Sequence, residues 1–272
     1  MIYIFYNHWT STGVGYLNLK SFAQSQPHKI GDLKMVSNIN NQKLELEKFK
    51  IDTNIAYFIG VLHSDGYIYT FNYRKRKRKQ IRLGLQIGRK SIPMAVKFKK
   101  ILFDYFGKTV NIRLKPNTNL LCIQTSVNRI WNILQNWGRS KLPVEIKANK
   151  ILFGAYLAGL IDGDGYIQIK NNTKDRVIPQ CVIRIGSDCP LADIKNLIKE
   201  HIKCSVHFEF HKTNKGVNTT FYISKKSIEF IESYIYPHLV MPYKLTTLER
   251  FFNMKSGPAR IRTPISAHIS MD

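Results

Sequence analysis

Two aspartates stand at equivalent points of a sequence that repeats itself after 99 residues. Asp65 and Asp164 are each followed by glycine and tyrosine, and each closes a mostly apolar run, 56–64 and 155–163. Small residues occupy every fourth position of these runs: Ala56, Gly60 and Ser64 in the first, Ala155, Gly159 and Gly163 in the second. Residues four apart share one face of a helix, so the small residues form a stripe along each helix. The pattern predicts two buried helices that pack with these stripes in contact. If they run in the same direction, the two aspartates meet at one end.

The pair of acids could bind a metal ion. Two carboxylates at helix C-termini repel each other and also face the negative end of each helix dipole, and a divalent cation would relieve both effects. The carboxylates of Asp65 and Asp164, the backbone carbonyls of Ser64 and Gly163, water and phosphate are ligands that suit Mg²⁺. Alternatively, the helices form only a core and the acids are solvated caps. That interpretation does not explain why the same acid-glycine pair closes both runs, and each glycine is expected to end its helix.

Residues 157–165 read LAGLIDGDG, which is similar to the motif that names the LAGLIDADG homing endonucleases, with Gly163 in place of alanine. The earlier copy, residues 58–66, is weaker and has His63 where the second copy has Asp162. Together the copies extend the resemblance over about residues 51–252. The resemblance implies an α+β fold of two αββαββα domains related by a pseudo-twofold axis, each with a four-stranded antiparallel sheet, forming a DNA-binding saddle.

The sequence divides around the two copies. We predict an N-terminal extension over 1–50, a first domain over 51–147, a second over 148–254 and a C-terminal tail over 255–272. Alternation of apolar and polar residues predicts strands at 67–73, 80–87, 109–115 and 120–125, and helical spacing predicts helices at 93–105 and 128–137. The second half repeats this order. Residues 183–186 match residues 85–88 in sequence, and residues 220–224 match the fourth strand of the first half.

The charge of the chain indicates a polyanionic partner. Lys and Arg number 42 against 18 Asp and Glu, which gives a net charge of +24. Nucleic acid fits this excess better than a membrane surface, although a ribosomal protein would be equally basic. The DNA-binding candidates are a run of basic residues, the outward faces of the predicted strands and a basic connection in the second half: Arg74, Lys75, Arg76, Lys77, Arg78, Lys79, Gln80, Arg82, Gln86, Arg89, Gln168, Lys170, Asn172, Lys174, Arg176, Gln180 and Arg184. Gln and Arg side chains suit the edges of adenine and guanine.

The resemblance also implies an activity, which is Mg²⁺-dependent hydrolysis of one phosphodiester in each strand of a long asymmetric DNA target by a monomer. Asp65 and Asp164 would then be catalytic and hold the metal. Lys141 and Lys244 match by position the basic residue that the family places beside the scissile phosphate. Ca²⁺ is expected to support binding without cleavage. The alternatives are a maturase that binds intron RNA, with or without DNA cleavage, and a DNA-binding protein that has lost catalysis.

The sequence indicates less about location. The apolar run at 151–161 is far shorter than the ~20 residues of a membrane span, so no membrane partner is expected. Richness in Ile, Lys, Asn, Tyr and Phe is typical of an AT-rich genome, which favours an organelle (mitochondrion or chloroplast) or a microbial cytoplasm. Basicity and composition do not distinguish between these compartments.

Overall fold

A computed structural model of the protein describes residues 50–73, 78–128, 142–171, 179–186, 191–202, 209–213, 216–223 and 227–256, with Leu134 and Trp137. These residues belong to one unit, which begins at Lys50 and includes both predicted domains. The predicted extension and tail lie almost wholly outside the described residues. No helix of the described part is both long enough and apolar enough to cross a membrane.

The first half forms one sheet and two long helices. Its elements are α1 (Thr53–Ser64), β1 (Gly66–Tyr73), β2 (Arg78–Gly88), a single 3-10 turn (Arg89–Ser91), α2 (Ile92–Phe106), β3 (Arg113–Leu114) and β4 (Leu120–Ser126). The strands pair in the order β1-β2-β4-β3, and every pair is antiparallel. The predicted closing helix at 128–137 lies mostly outside the described residues. β3 is much shorter than the predicted 109–115, since this edge strand pairs with β4 at two residues only.

The second half repeats this topology. Its elements are α3 (Val144–Ala148), α4 (Lys150–Asp164), β5 (Gly165–Asn171), β6 (Pro179–Gly186), α5 (Leu191–Leu197) with a π-helical turn (Ile198–Ile202), β7 (Glu209–Thr213), β8 (Gly216–Ile223), α6 (Ile228–Phe230) with a π-helical turn (Ile231–Ile235) and a 3-10 turn (Tyr236–His238), and α7 (Pro242–Ser256). The strand order is β5-β6-β8-β7, again antiparallel. The α+β class and the two four-stranded sheets are therefore confirmed.

The register of the sheets corrects one sequence match. Gly66 pairs with Leu85, and Gly165 pairs with Ile185, so equivalent positions of β2 and β6 are 100 residues apart. The sequence match of 85–88 with 183–186 is wrong by two residues, and Arg184 occupies the place of Gly84. The hairpin of the second half is one residue longer. Because side chains alternate with a period of two, a shift by two leaves the apolar pattern unchanged and cannot be seen in the sequence.

The two motif helices α1 and α4 pack at their backbones. A Cβ on Gly60 would overlap the carbonyl oxygen of Tyr156 and lie 3.0 Å from the Cα of Gly159. A Cβ on Gly159 would overlap the carbonyl oxygen of Tyr57. The prediction that the small stripes face each other in helices running the same way is thus confirmed. Alternate residues of β2 give the first sheet one apolar face, since Ile81, Leu83, Leu85 and Ile87 are all buried.

The glycines after the two aspartates are required for space, and neither has a left-handed conformation. Gly165 has a φ of −82°, and among the described glycines only Gly107 has a positive φ. A Cβ on Gly66 would lie 2.6 Å from the Cα of Leu62, and a Cβ on Gly165 would lie 2.5 Å from the carbonyl oxygen of Ile161. Each strand therefore begins directly against the last turn of its own helix.

Replacing Gly159 by alanine should destabilise the protein strongly, because the added methyl group meets backbone that cannot rotate away. We expect a loss of about 3 kcal/mol in the free energy of unfolding. Urea denaturation followed by circular dichroism measures this loss. Gly88→Ala is the matched control, since a Cβ on Gly88 meets nothing within 4 Å and its φ of −68° suits alanine. Equal stability of the two variants would contradict the backbone contact between α1 and α4.

Candidate metal centre and nucleic-acid interface

The C-terminal ends of α1 and α4 lie side by side. A Cβ on Gly163 would overlap the Ser64 hydroxyl and lie 3.1 Å from Oδ2 of Asp65. The serine of the first copy therefore explains why the second copy has glycine where the motif name has alanine. The Ser64 hydroxyl donates to the carbonyls of Gly60 and Val61, at 3.2 and 3.1 Å.

Asp65 and Asp164 are both partly exposed, and both act electrostatically on the ammonium group of Lys244. The acids of the two halves thus surround one region, as predicted. The described residues contain no cluster of three or more His, Cys, Asp or Glu side chains. Two carboxylates with neighbouring carbonyls nevertheless fit Mg²⁺, which usually takes one or two protein carboxylates and completes its shell with phosphate and water.

Lys244 lies in the first turn of α7 and is 1% exposed. Its Nζ donates to the carbonyl of Ile161 and, at 2.8 Å, to that of Asp162. Both carbonyls belong to the last turn of α4, and that of Ile161 also accepts from the N–H of Gly165. Burial lowers the pKa of Lys244 to about 8, against the opposing effect of Asp162, Asp65 and Asp164. Two of its three N–H groups are thus used within the described chain, and its catalytic role stays a prediction.

Asp162, two residues before the catalytic candidate, is buried and holds three elements together. Its Oδ2 accepts from the Tyr57 hydroxyl and from the N–H of Val240, each at 2.8 Å, and its Oδ1 accepts from the N–H of Met241 at 3.3 Å. Burial raises the pKa of this carboxyl, and the hydrogen bonds act in the opposite direction. Asp162 therefore connects α1, α4 and the segment that leads into α7.

His63 takes the equivalent place in the first half, where it also accepts from a tyrosine hydroxyl but donates to the backbone instead of accepting from it. Its Nε2 lies 2.9 Å from the carbonyl oxygen of Trp137, and its Nδ1 lies 3.0 Å from the Tyr156 hydroxyl. A carbonyl can only accept, so Nε2 carries the hydrogen, and in the neutral ring Nδ1 accepts from tyrosine. Each motif tyrosine thus crosses to the partner helix: Tyr57 to Asp162, and Tyr156 to His63. Sequence reasoning missed this pairing, although all four residues recur at the offset of 99.

Lys97 of α2 joins the first half to the second. Its Nζ donates to the carbonyl of His238 at 2.8 Å and lies 3.6 Å from the centre of the Tyr57 ring. Burial lowers the pKa of Lys97 to about 8, and Asp162 opposes this shift. Burial and the charge of Lys97 together lower the pKa of His238 to about 4. A half-buried cation and a buried anion therefore both contact Tyr57.

The predicted base readers lie on the outward faces of the sheets. In β2 Gln80, Arg82 and Gln86 alternate with the buried residues and are partly exposed. Arg82 donates twice to the side-chain oxygen of Gln80. Register and alternation give the outward-face candidates as Gln80, Arg82 and Gln86 in β2, Gln168 and Lys170 in β5, and Gln180 and Arg184 in β6. Sequence reasoning missed Tyr67, Tyr69 and Tyr166, which share these faces. The alternation of apolar and polar residues along the strands also places these tyrosines on the outward faces.

Several predicted residues lie outside the described structure. These are Lys141, Arg74, Lys75, Arg76, Lys77, Asn172, Lys174 and Arg176. Arg78 and Lys79 begin β2, but their side chains are not described. Arg89 is exposed in the turn after β2, where its N–H donates to the carbonyl of Asn119.

Comparison with known proteins identifies the fold. No family model matches the sequence, and no curated protein is similar to it. Among solved structures, the I-LtrWI LAGLIDADG homing endonuclease bound to target DNA has a TM-score of 0.51 at 18% identity, covering 75% of this chain and 91% of that one. The homing endonuclease I-DmoI in complex with DNA and Ca has a TM-score of 0.53 at 16% identity, covering 73% and 97%. The chain therefore has the LAGLIDADG homing endonuclease fold.

Replacing His63 by aspartate makes the first motif more like the second, yet it should destabilise the protein. The carboxylate has no hydrogen for the Trp137 carbonyl, and it adds a buried charge beside that oxygen. We expect a loss of about 3 kcal/mol in the free energy of unfolding. His63→Gln keeps an N–H at the tip of the side chain, so its loss in the free energy of unfolding should be clearly smaller. Urea denaturation of both variants decides the matter, and a fully stable His63→Asp variant would refute the polarity argument.

Lys97 should make stability depend on pH in a defined window. Between pH 8 and about 10.5 the unfolded chain keeps a proton on this lysine that the folded protein has released, so raising the pH favours folding. The difference in unfolding free energy between wild type and Lys97→Met should therefore increase from pH 8 to pH 10. Denaturation titrations across this range measure it. The exposed Lys99→Met variant controls for the loss of one charge, and an equal pH trend in both variants would remove Lys97 as the cause.

Proposed function

We propose that the protein is a site-specific DNA endonuclease, encoded by an intron, that makes a metal-dependent double-strand break in a long asymmetric target. The observation that carries the proposal is the meeting of two acids, one from each half, at the adjoining ends of α1 and α4. The nearby acid with a structural role, Asp162, is buried and accepts hydrogen bonds at both carboxylate oxygens. Asp65 and Asp164 are instead partly exposed at the helix ends.

Asp65 and Asp164, with the carbonyls of Ser64 and Gly163, would hold Mg²⁺. When bound, the ion supplies a polarised water and a positive charge beside the leaving oxygen. In each strand a water oxygen bonds to phosphorus and loses a proton, while the bond from phosphorus to one bridging sugar oxygen breaks and that oxygen takes up a proton. The close packing of Gly60 on Gly159 fixes the distance between the acids.

Lys244 would contribute in two ways. Its hydrogen bonds to the carbonyls of Ile161 and Asp162 fix the last turn of α4, and thereby the position of Asp164. Its remaining N–H could stabilise charge that develops on the phosphate. Lys141 would stabilise the corresponding charge on the phosphate in the first half.

The charge of +24 and the outward faces of the sheets favour double-stranded DNA as substrate. The two faces carry different side chains at equivalent positions, for example Gly84 in one half and Arg184 in the other. A single chain that presents two different faces can read an asymmetric site as a monomer. Two fold relatives support this proposal, since I-LtrWI was solved with target DNA and I-DmoI with DNA and Ca.

The test begins with selection of bound sequences from a randomised double-stranded DNA library in Ca²⁺, followed by cleavage of a plasmid carrying the enriched site in Mg²⁺. Asp65→Asn and Asp164→Asn should each lower double-strand cleavage at least about 100-fold, while binding in Ca²⁺ is largely retained. Because removing one of two repelling charges relieves strain in the metal-free protein, melting temperatures should stay equal or increase slightly.

Asp104→Asn is the matched control, since Asp104 is an exposed acid on the surface of α2 that forms an ion pair with Lys100, at 3.3 Å. Normal cleavage by Asp65→Asn would show that the first motif is only a packing helix and that the two-acid mechanism is incorrect. Enrichment of no sequence by the wild-type protein, with no cleavage in Mg²⁺, would contradict the proposed function as a whole.

A further inference from the structure

A tyrosine follows the acid-glycine pair in both halves, but the two tyrosines have different surroundings. Tyr67 and Tyr166 each stand two residues after the acid, at the start of the outward face of β1 and β5. By sequence they are equivalent. Their cross-strand partners are different, because Tyr67 pairs with Gly84 and Tyr166 pairs with Arg184.

Tyr67 lies flat on its own sheet. Its ring fills the space over Gly84, where an added Cβ would lie 2.5 Å from the ring carbon Cε2. The ring stacks on Tyr69, with centroids 5.9 Å apart, and its hydroxyl lies 3.6 Å from the sulfur of Cys122 on β4. The ring of Tyr67 therefore packs against residues of the first sheet.

Tyr166 has no such place to lie. The side chain of Arg184 extends from the position that glycine leaves open in the first half, and Tyr166 is 53% exposed. Within the described part of the chain, its side chain makes no hydrogen bond or ring contact. An aromatic side chain is thus presented on the same face as the predicted readers Gln168 and Arg184.

The distance between Tyr166 and Asp164 determines which base pairs the Tyr166 ring can contact. Two residues of strand span about 7 Å, which is the length of about two base pairs of duplex. In the major groove, thymine is the base that presents an apolar group, its C5 methyl, while the other base edges offer hydrogen-bond donors and acceptors. The exposed ring of Tyr166 matches that methyl group best.

We propose that Tyr166 is a specificity-determining residue that packs on a thymine methyl group within about two base pairs of the phosphate cleaved at Asp164. Tyr67 has no such role, because its ring is part of the first sheet. This inference rests on the proposed endonuclease function. It adds one contact, present in one half only, to the reading of the target.

The experiment compares sequences selected by wild type, Tyr166→Ala, Tyr166→Phe and Tyr67→Ala from the randomised duplex library in Ca²⁺. Wild type and Tyr166→Phe should both prefer thymine at one position near the cleavage point in the second half-site. Tyr166→Ala should lose this preference by roughly tenfold and keep the rest of the site. Tyr67→Ala should keep the preference and lower the melting temperature instead, since it removes a packed ring.

Replacing that thymine by deoxyuridine deletes only the methyl group. Wild-type affinity should decrease about fourfold, the loss expected for one buried methyl group, and the affinity of Tyr166→Ala should stay the same. Equal loss in both proteins, an unchanged site for Tyr166→Ala, or a loss spread over all positions would overturn the assignment of Tyr166. If wild type selects no sequence at all, the proposed function fails first and the assignment fails with it.

Discussion

The structure depends on the backbone contact between two helices at Gly60 and Gly159. Because glycine has no side chain, the helices α1 and α4 approach until each glycine lies against a carbonyl oxygen of the partner helix. Neither position then has space for a methyl group. This contact joins the equivalent helices of the two halves, and it brings Asp65 beside Gly163 at the helix ends. A candidate metal centre between the halves is possible only because the helices come this close.

Close packing leaves buried polar groups near the centre, and the two halves satisfy them differently. Tyr57 donates to a carboxylate, Asp162, whereas Tyr156 donates to an imidazole, His63. The carboxylate then accepts from backbone N–H groups, and the imidazole donates to a backbone carbonyl. Burying such groups without partners costs about 1–3 kcal/mol each, so each side chain is matched to the polarity of the segment it faces.

Buried charges link this centre to the rest of the chain. Asp162 lies near two ammonium groups: that of the half-buried Lys97, across the ring of Tyr57, and that of the buried Lys244, which holds the end of α4. Each cation alone would be costly to bury, and the pKa of both lysines is lowered for that reason. The carboxylate between them offsets part of the cost. The position of the catalytic candidates is thus determined by electrostatics as well as by packing.

The sequence by itself determined the duplication, the two motif helices with their small stripes, the alternating strands and the acids Asp65 and Asp164, because each is a local pattern that repeats. The tertiary structure decided the rest. A shift of two residues in a strand leaves its pattern intact, so only the sheet shows that Arg184, and no glycine, faces Tyr166. Likewise, the partners of His63 and Asp162 lie more than 70 residues away in sequence, and no local pattern encodes whether such a partner is a carbonyl or an N–H.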